Sequence, residues 1–262
     1  MDTTLTDTGA DRSACQTSAI RAGSVLVVGV GGLGCPAALA LALAGVGTIG
    51  LIDPDLVDVS NLQRQILHTT PDLGQAKVES ARHKLSRLRP ASRVTAYPER
   101  LSPHNLSAVF RDYDFVIDAT DGTATKFMIN DAAVLLGKPF SYAGIVQFQG
   151  QTLTVLPRKT TCLRCLFPVP PSPDEIPSCQ EAGVLGSAAG SLGLIQATEA
   201  VKYLSGDPQL LTDRLLTYDA QLPRWREVRL KPNPRCPVCG SQPSITSLRP
   251  ERYEEDGLCQ VG

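Results

Sequence analysis

The stretch Val25-Leu26-Val27-Val28-Gly29-Val30-Gly31-Gly32-Leu33-Gly34 decides the fold. Its first four residues are a β-branched and aliphatic run, the pattern of a strand buried on both faces of a parallel sheet. Gly29, Gly31 and Gly34 then match G-x-G-x-x-G, and residues 35–44 read as a helix of small residues. A strand that turns through glycines into a helix is a phosphate-binding arrangement. The glycines allow a tight turn and a close approach of backbone to ligand, and the helix N-terminus presents free N–H groups that favour anions. The same glycines could serve only to pack helix on strand. Against that, residues 49–52 form a second strand ending at Asp53, 19 residues beyond Gly34. A carboxylate there can accept hydrogen bonds from ribose hydroxyls.

Working outward, strand and helix keep alternating. Residues 77–89 have helical spacing with many charges, 94–97 and 115–117 read as strands, and 125–136 as a helix stopped by Gly137 and Pro139. This alternation predicts an α/β fold with a doubly wound, Rossmann-like, mostly parallel sheet. Residues 148–156, 215–219 and 226–230 add a C-terminal portion of mixed strands, and 188–204 a helix. Five prolines between 168 and 177 mark a crossover loop. The division that follows is an N-terminal arm (1–24), a nucleotide-binding half (25–155), a crossover, helix and metal-binding half of the same domain (156–240), and a tail (241–262).

Composition narrows the class. In 262 residues, 42% are hydrophobic and 19% charged, enough for a core and against wholesale disorder. A net charge of −1 argues against nucleic acid as the main ligand. The longest apolar stretch, 33–52, is broken by Gly45, Gly47 and Gly50 and reads as helix–turn–strand, so no membrane partner is expected. No basic segment precedes an apolar core near the start, which predicts a cytoplasmic location.

Eight cysteines in such a chain point to metal or catalysis before disulfides. Four form two C-x-x-C pairs, Cys162/Cys165 and Cys236/Cys239, with 70 residues between them. Four thiolates in two knuckles make a closed tetrahedral zinc site, structural in character. Cys179 follows the proline-rich loop; beside a helix N-terminus its thiol would be a better nucleophile, and otherwise it is a small residue on a loop. Cys35 reads as a core filler. His68, His83 and His104 form no cluster in sequence and receive no role.

Three strings separate this chain from a dehydrogenase. They are Ser60-Asn61-Leu62-Gln63-Arg64-Gln65, Gly74-Gln75-Ala76-Lys77-Val78-Glu79-Ser80-Ala81, and Ala119-Thr120-Asp121-Gly122. Together with the glycine loop and the cysteine pairs they resemble the MoeB/ThiF family, prokaryotic relatives of ubiquitin-activating enzymes, over residues 25–240. Within that family the resemblance is to activators of sulfur-carrier proteins in molybdopterin and thiamin synthesis.

The resemblance implies an adenylyltransferase that uses ATP with magnesium. Its substrate would be the C-terminal carboxylate of a ubiquitin-like sulfur-carrier protein ending in Gly-Gly. The family's nucleotide contacts fall on the loop Gly29, Gly31, Gly32 and Gly34 and on Asp53, Ser60, Asn61, Arg64, Lys77, Asp121 and Gly122. Asp53 is similar to the ribose ligand, Arg64 and Lys77 to the triphosphate clamp, and Asp121 to the magnesium-binding catalytic carboxylate. A cysteine near Cys179 takes part in acyl or sulfur chemistry in some relatives. The resemblance also implies a homodimer, and an external protein as any sulfur donor. Alternatives are adenylation of a short peptide or tRNA base, or a nucleotide-binding scaffold without turnover. Gly122 stands where the family has asparagine and Lys126 where it has arginine. No R-Y-x-R-Q segment precedes Val25, where Arg12 and Arg21 are the only arginines.

Overall fold

A computed structural model describes residues 9–171 and 183–253. Strands β1 (Ser24–Val28), β2 (Thr48–Ile52), β3 (Arg93–Tyr97), β4 (Phe115–Asp118), β5 (Phe140–Val146), β6 (Gln149–Val155), β7 (Arg214–Asp219) and β8 (Arg224–Arg229) form one sheet in the order β3-β2-β1-β4-β5-β6-β7-β8. The first five run parallel. The last three attach antiparallel, β5 to β6 to β7 to β8. The doubly wound sheet with a mixed-strand C-terminal portion is thus present.

The helices α1 (Gly9–Ala22), α2 (Gly34–Ala44), α3 (Lys77–Leu88), α4 (Leu106–Arg111), α5 (Thr123–Leu136), the short α6 (Leu163–Leu166) and α7 (Gly186–Leu204) cover the two faces. Side-chain alternation along the central strands divides the core. Val25 and Val27 of β1, Ile49 and Leu51 of β2, and Phe115 and Ile117 of β4 pack with α2, α3 and α7. Leu26, Val28, Ile52 and Val116 pack with α4, α5 and the cysteine knuckles. Among the described residues no helix is long and apolar enough to cross a membrane.

Besides the short α6, two elements escaped the sequence reading. β5 lies at the centre of the sheet, and α4 is a six-residue helix between β3 and β4. Pro139 and Gly144 disguise β5, yet strand–helix alternation demands a strand after α5, and the run Phe140-Ser141-Tyr142-Ala143 is buried throughout. Within the stretch read as an N-terminal arm, residues 9–22 form a 14-residue helix.

Candidate active site

β1 is paired with both β2 and β4, and the chain leaves β1 and β4 towards helices on opposite faces. A crevice therefore opens beyond the carboxyl ends of these strands, where ligands bind in open α/β sheets. It is lined by the glycine loop, Asp53 and Asp55 after β2, Asn61, Arg64 and Gln65, Lys77 at the start of α3, and Thr120 and Asp121 after β4. Its empty volume, counted out to open solvent, is about 860 Å³.

The glycine loop is shaped by need. Gly29 has φ +90°, and a Cβ there would lie 2.7 Å from Ala119 O. A Cβ on Gly34 would meet Gly29 O at 1.8 Å, so no other residue lets α2 start this close to β1. Gly31 and Gly32 meet little, and both line the crevice, leaving their backbone open to a ligand. Asp53 ties the loop to β2: Oδ2 accepts from Val30 N at 2.7 Å and Oδ1 from Asp55 N at 2.9 Å. Burial raises the Asp53 pKa above the usual carboxylate value, opposed by the charge of Lys77.

The cations enter from three directions. Arg64 donates to Asn61 Oδ1 (3.0 Å) and Ser60 O (3.3 Å). Lys77 is buried and pairs with Asp55 at 2.7 Å; the Asp55 side chain is 58% exposed, so this pair can exchange for a phosphate at modest cost. Lys126 of α5 donates to Ala143 O at 2.5 Å and sits 3.4 Å from Asp118 Oδ1, beneath the same crevice. Asp121 is exposed and makes no hydrogen bond or ion pair among the described residues. Gln65 is buried in the wall, and its Oε1 finds no donor among the described residues. Open backbone, three cations, a free carboxylate and an unmet acceptor suit a nucleotide triphosphate with a divalent cation.

The sequence-singled residues are thus mostly brought together. Gly29, Gly31, Gly32, Asp53, Asn61, Arg64, Lys77 and Asp121 line one crevice. Gly34 packs beneath it, and Gly122 caps α5. Ser60 donates through N and Oγ to Asp58 Oδ1, at 2.8 and 2.6 Å, which shapes the turn carrying Asn61. Cys179 lies outside the described residues. Asp55 and Gln65 also line the crevice without having been singled out; Asp55 stands two residues after Asp53, and Gln65 follows Arg64. Val184 and Ala189 also line the crevice and carry no sequence signal.

The four paired cysteines converge on the far face. All four Sγ atoms lie within 4.8 Å of one another, with Cys162–Cys236 at 3.6 Å, Cys162–Cys239 at 3.5 Å and Cys165–Cys239 at 3.4 Å. A disulfide needs about 2.05 Å. Zn–S bonds of about 2.3 Å separate tetrahedral sulfurs by about 3.8 Å, which these spacings approach. The cluster can hold zinc, with no fourth position open to substrate.

Comparison with known proteins agrees with this geometry. The sulfur carrier protein adenylyltransferase of Thermus thermophilus is 46% identical over 234 residues, covering 87% of this chain and 86% of that protein. The adenylyltransferase and sulfurtransferase MOCS3 of Anopheles gambiae is 43% identical over 230 residues, and the match covers 87% of this chain but 52% of that relative. The crystal structure of E. coli MccB with AMPCPP and MccA superposes with a TM-score of 0.78 over 87% of this chain and 69% of that one; at 20% identity this shows the shared fold alone. The ThiF family model matches residues 6–238, and the chain belongs to the ThiF family.

Proposed function

We propose that this chain adenylates the C-terminal carboxylate of a ubiquitin-like sulfur-carrier protein ending in Gly-Gly, forming an acyl-adenylate and releasing pyrophosphate. The observation that carries the reading is a single crevice that combines the glycine loop, Arg64, Lys77 and Asp121. The relatives named as adenylyltransferases support the same reaction class.

Each residue has a task in that chemistry. A carboxylate oxygen attacks the α-phosphorus of ATP, and the bond to the bridging oxygen of pyrophosphate breaks. Both reactants are anionic, so positive charge must screen the approach. Arg64 grips phosphate oxygens with its planar fork, and Lys77 adds a compact charge. The backbone of Gly31 and Gly32 lies against phosphate. Asp53 receives the ribose, and Asn61 steers Arg64. Asp121 would hold magnesium, which neutralises charge on the departing pyrophosphate. No general base is needed, because the attacking carboxylate is already ionised near pH 7. Cys162, Cys165, Cys236 and Cys239 would hold a structural zinc. Cys179 would serve only a later acyl or sulfur step, with sulfur from another protein. We further propose a cytoplasmic homodimer with no nucleic-acid or membrane partner.

The test is ATP–pyrophosphate exchange, with and without a carrier ending in Gly-Gly. Exchange that depends on the carrier and disappears when its terminal glycine is removed supports the reading. Exchange driven equally well by an unrelated short peptide, or none with any carrier, would overturn it.

A further inference from the structure

His68 belongs to none of the roles above, yet it is buried, at 4% exposure, directly behind the glycine loop. It closes the segment that carries Arg64 and Gln65, and its backbone N–H donates to Gln65 O at 3.0 Å. Its ring reaches two other elements. Nε2 lies 3.2 Å from Val30 O, and Nδ1 lies 3.0 Å from Ser80 Oγ. A carbonyl can only accept, so Nε2 carries the proton; Nδ1 then accepts from the Ser80 hydroxyl. The tautomer follows from these partners.

Val30 is consequently held at both of its backbone polar atoms. Its N–H goes to Asp53 Oδ2 at 2.7 Å and its C=O faces His68. It stands between Gly29 and Gly31, where glycine backbone has little conformational preference of its own. Ser80 lies on α3, three residues after Lys77. One imidazole therefore links the glycine loop, the Arg64 segment and the helix that begins with Lys77. Cys35 Sγ, 3.3 Å from Val30 O and 3.6 Å from His68 Nε2, is the nearest other donor to that carbonyl, and a thiol is a weak one.

The geometry points to His68 as a positioning residue for the nucleotide: it holds the Val30 peptide so that Gly31 and Gly32 present their backbone to phosphate, and it sets that loop against Arg64 and Lys77. It touches no reacting atom. This rests on the reading of the crevice as an ATP site.

Calorimetric titration of the full chain with magnesium–ATP, paired with thermal melts, tests it. His68→Leu removes the donor and keeps an apolar body. His68→Gln restores an N–H near the position of Nε2. Ser80→Ala removes the hydroxyl that donates to Nδ1 and ties the ring to α3. His68→Leu is expected to raise the Kd for ATP about 10- to 30-fold, the size of one lost hydrogen bond in a dry site. His68→Gln is expected to recover most of that affinity even where its melting temperature stays as low as that of His68→Leu. A merely structural histidine would lower the melting temperature in both variants and leave the Kd of each unchanged. That outcome overturns the inference, as does a His68→Gln protein no better than His68→Leu. Should His68→Leu fail to fold, Ser80→Ala decides: a Kd raised about threefold or more supports the role, and an unchanged Kd refutes it. Wild-type protein that binds no ATP would strike the ATP reading itself; wild-type binding with unaffected variants would strike only the role of His68.

Discussion

Arg164 and Asp131 form a two-pronged buried ion pair: Nε lies 2.8 Å from Oδ1 and Nη2 lies 2.7 Å from Oδ2. Arg164 is the third residue of the Cys162–Cys165 knuckle and Asp131 lies in α5, whose first turn follows Asp121 and Gly122. The pair is reinforced by Tyr253 OH at 3.0 Å from Asp131 Oδ2 and by Leu163 N donating to Asn130 Oδ1 at 2.8 Å. The cysteine cluster is thereby fastened to the helix that also carries Lys126.

Removing one side of that pair leaves the other charged and buried, which costs about 3–5 kcal/mol. Asp131→Ala is therefore expected to lower unfolding free energy by about that amount in urea titrations. A loss under about 1 kcal/mol, the value of a solvent-exposed pair, would show that the contact contributes little.

The cysteine cluster makes a separate prediction. Purified protein should contain one zinc per chain, released by a strong chelator with a fall in melting temperature. Cys239→Ala leaves three ligands and should destabilise by several kcal/mol, on the order of a third of the roughly 10–16 kcal/mol that structural zinc contributes in small peptides. Elemental analysis finding no metal in fresh protein would reject the site.

Asp121→Asn and Arg64→Ala probe the crevice. A charge-assisted hydrogen bond is worth about 1.5–3 kcal/mol, so each change should slow adenylate formation about 10- to 100-fold or more. Asp121→Asn should act mainly on kcat, and Arg64→Ala on both kcat and the KM for ATP. Cys179→Ala should leave pyrophosphate exchange intact. If Cys179→Ala abolished exchange while Asp121→Asn left it unchanged, the roles assigned to these residues would be reversed.

His68 gives the pH dependence a sign. Burial holds its imidazole below the ordinary value near 6.5, with Lys84 and Lys77 adding to the depression and the Val30 carbonyl and Asp72 opposing it. The unfolded chain then binds more protons than the folded one as pH drops below about 6.5, so this group lowers stability from there down through the folded-state value. Melting temperature measured from pH 7.5 to 5 should fall more steeply for wild type than for His68→Gln. Parallel curves would refute the assignment. Cys35 does not contribute in this range, because burial pushes its thiol up to about 12.

Much of this protein was legible in the chain itself, wherever the determining pattern is local. The run from Val25 to Val28, the glycines that follow and Asp53 foretold the central strands and the crevice, because period and turn geometry depend on neighbouring residues. The two C-x-x-C pairs foretold a cluster of four cysteines, since each pair places two thiols within a single turn. What tertiary structure alone decided is the partnering of residues far apart. Cys162 meets Cys236 across 74 positions, and Arg164 meets Asp131 across 33. Lys126 reaches Ala143 O, and His68 reaches Val30 O across 38 positions. β5 gains its place from β4 and β6 on either side, despite Pro139 and Gly144. A buried polar atom must find a partner somewhere, but the sheet order and the packing of helices on its two faces decide which one lies within 3 Å.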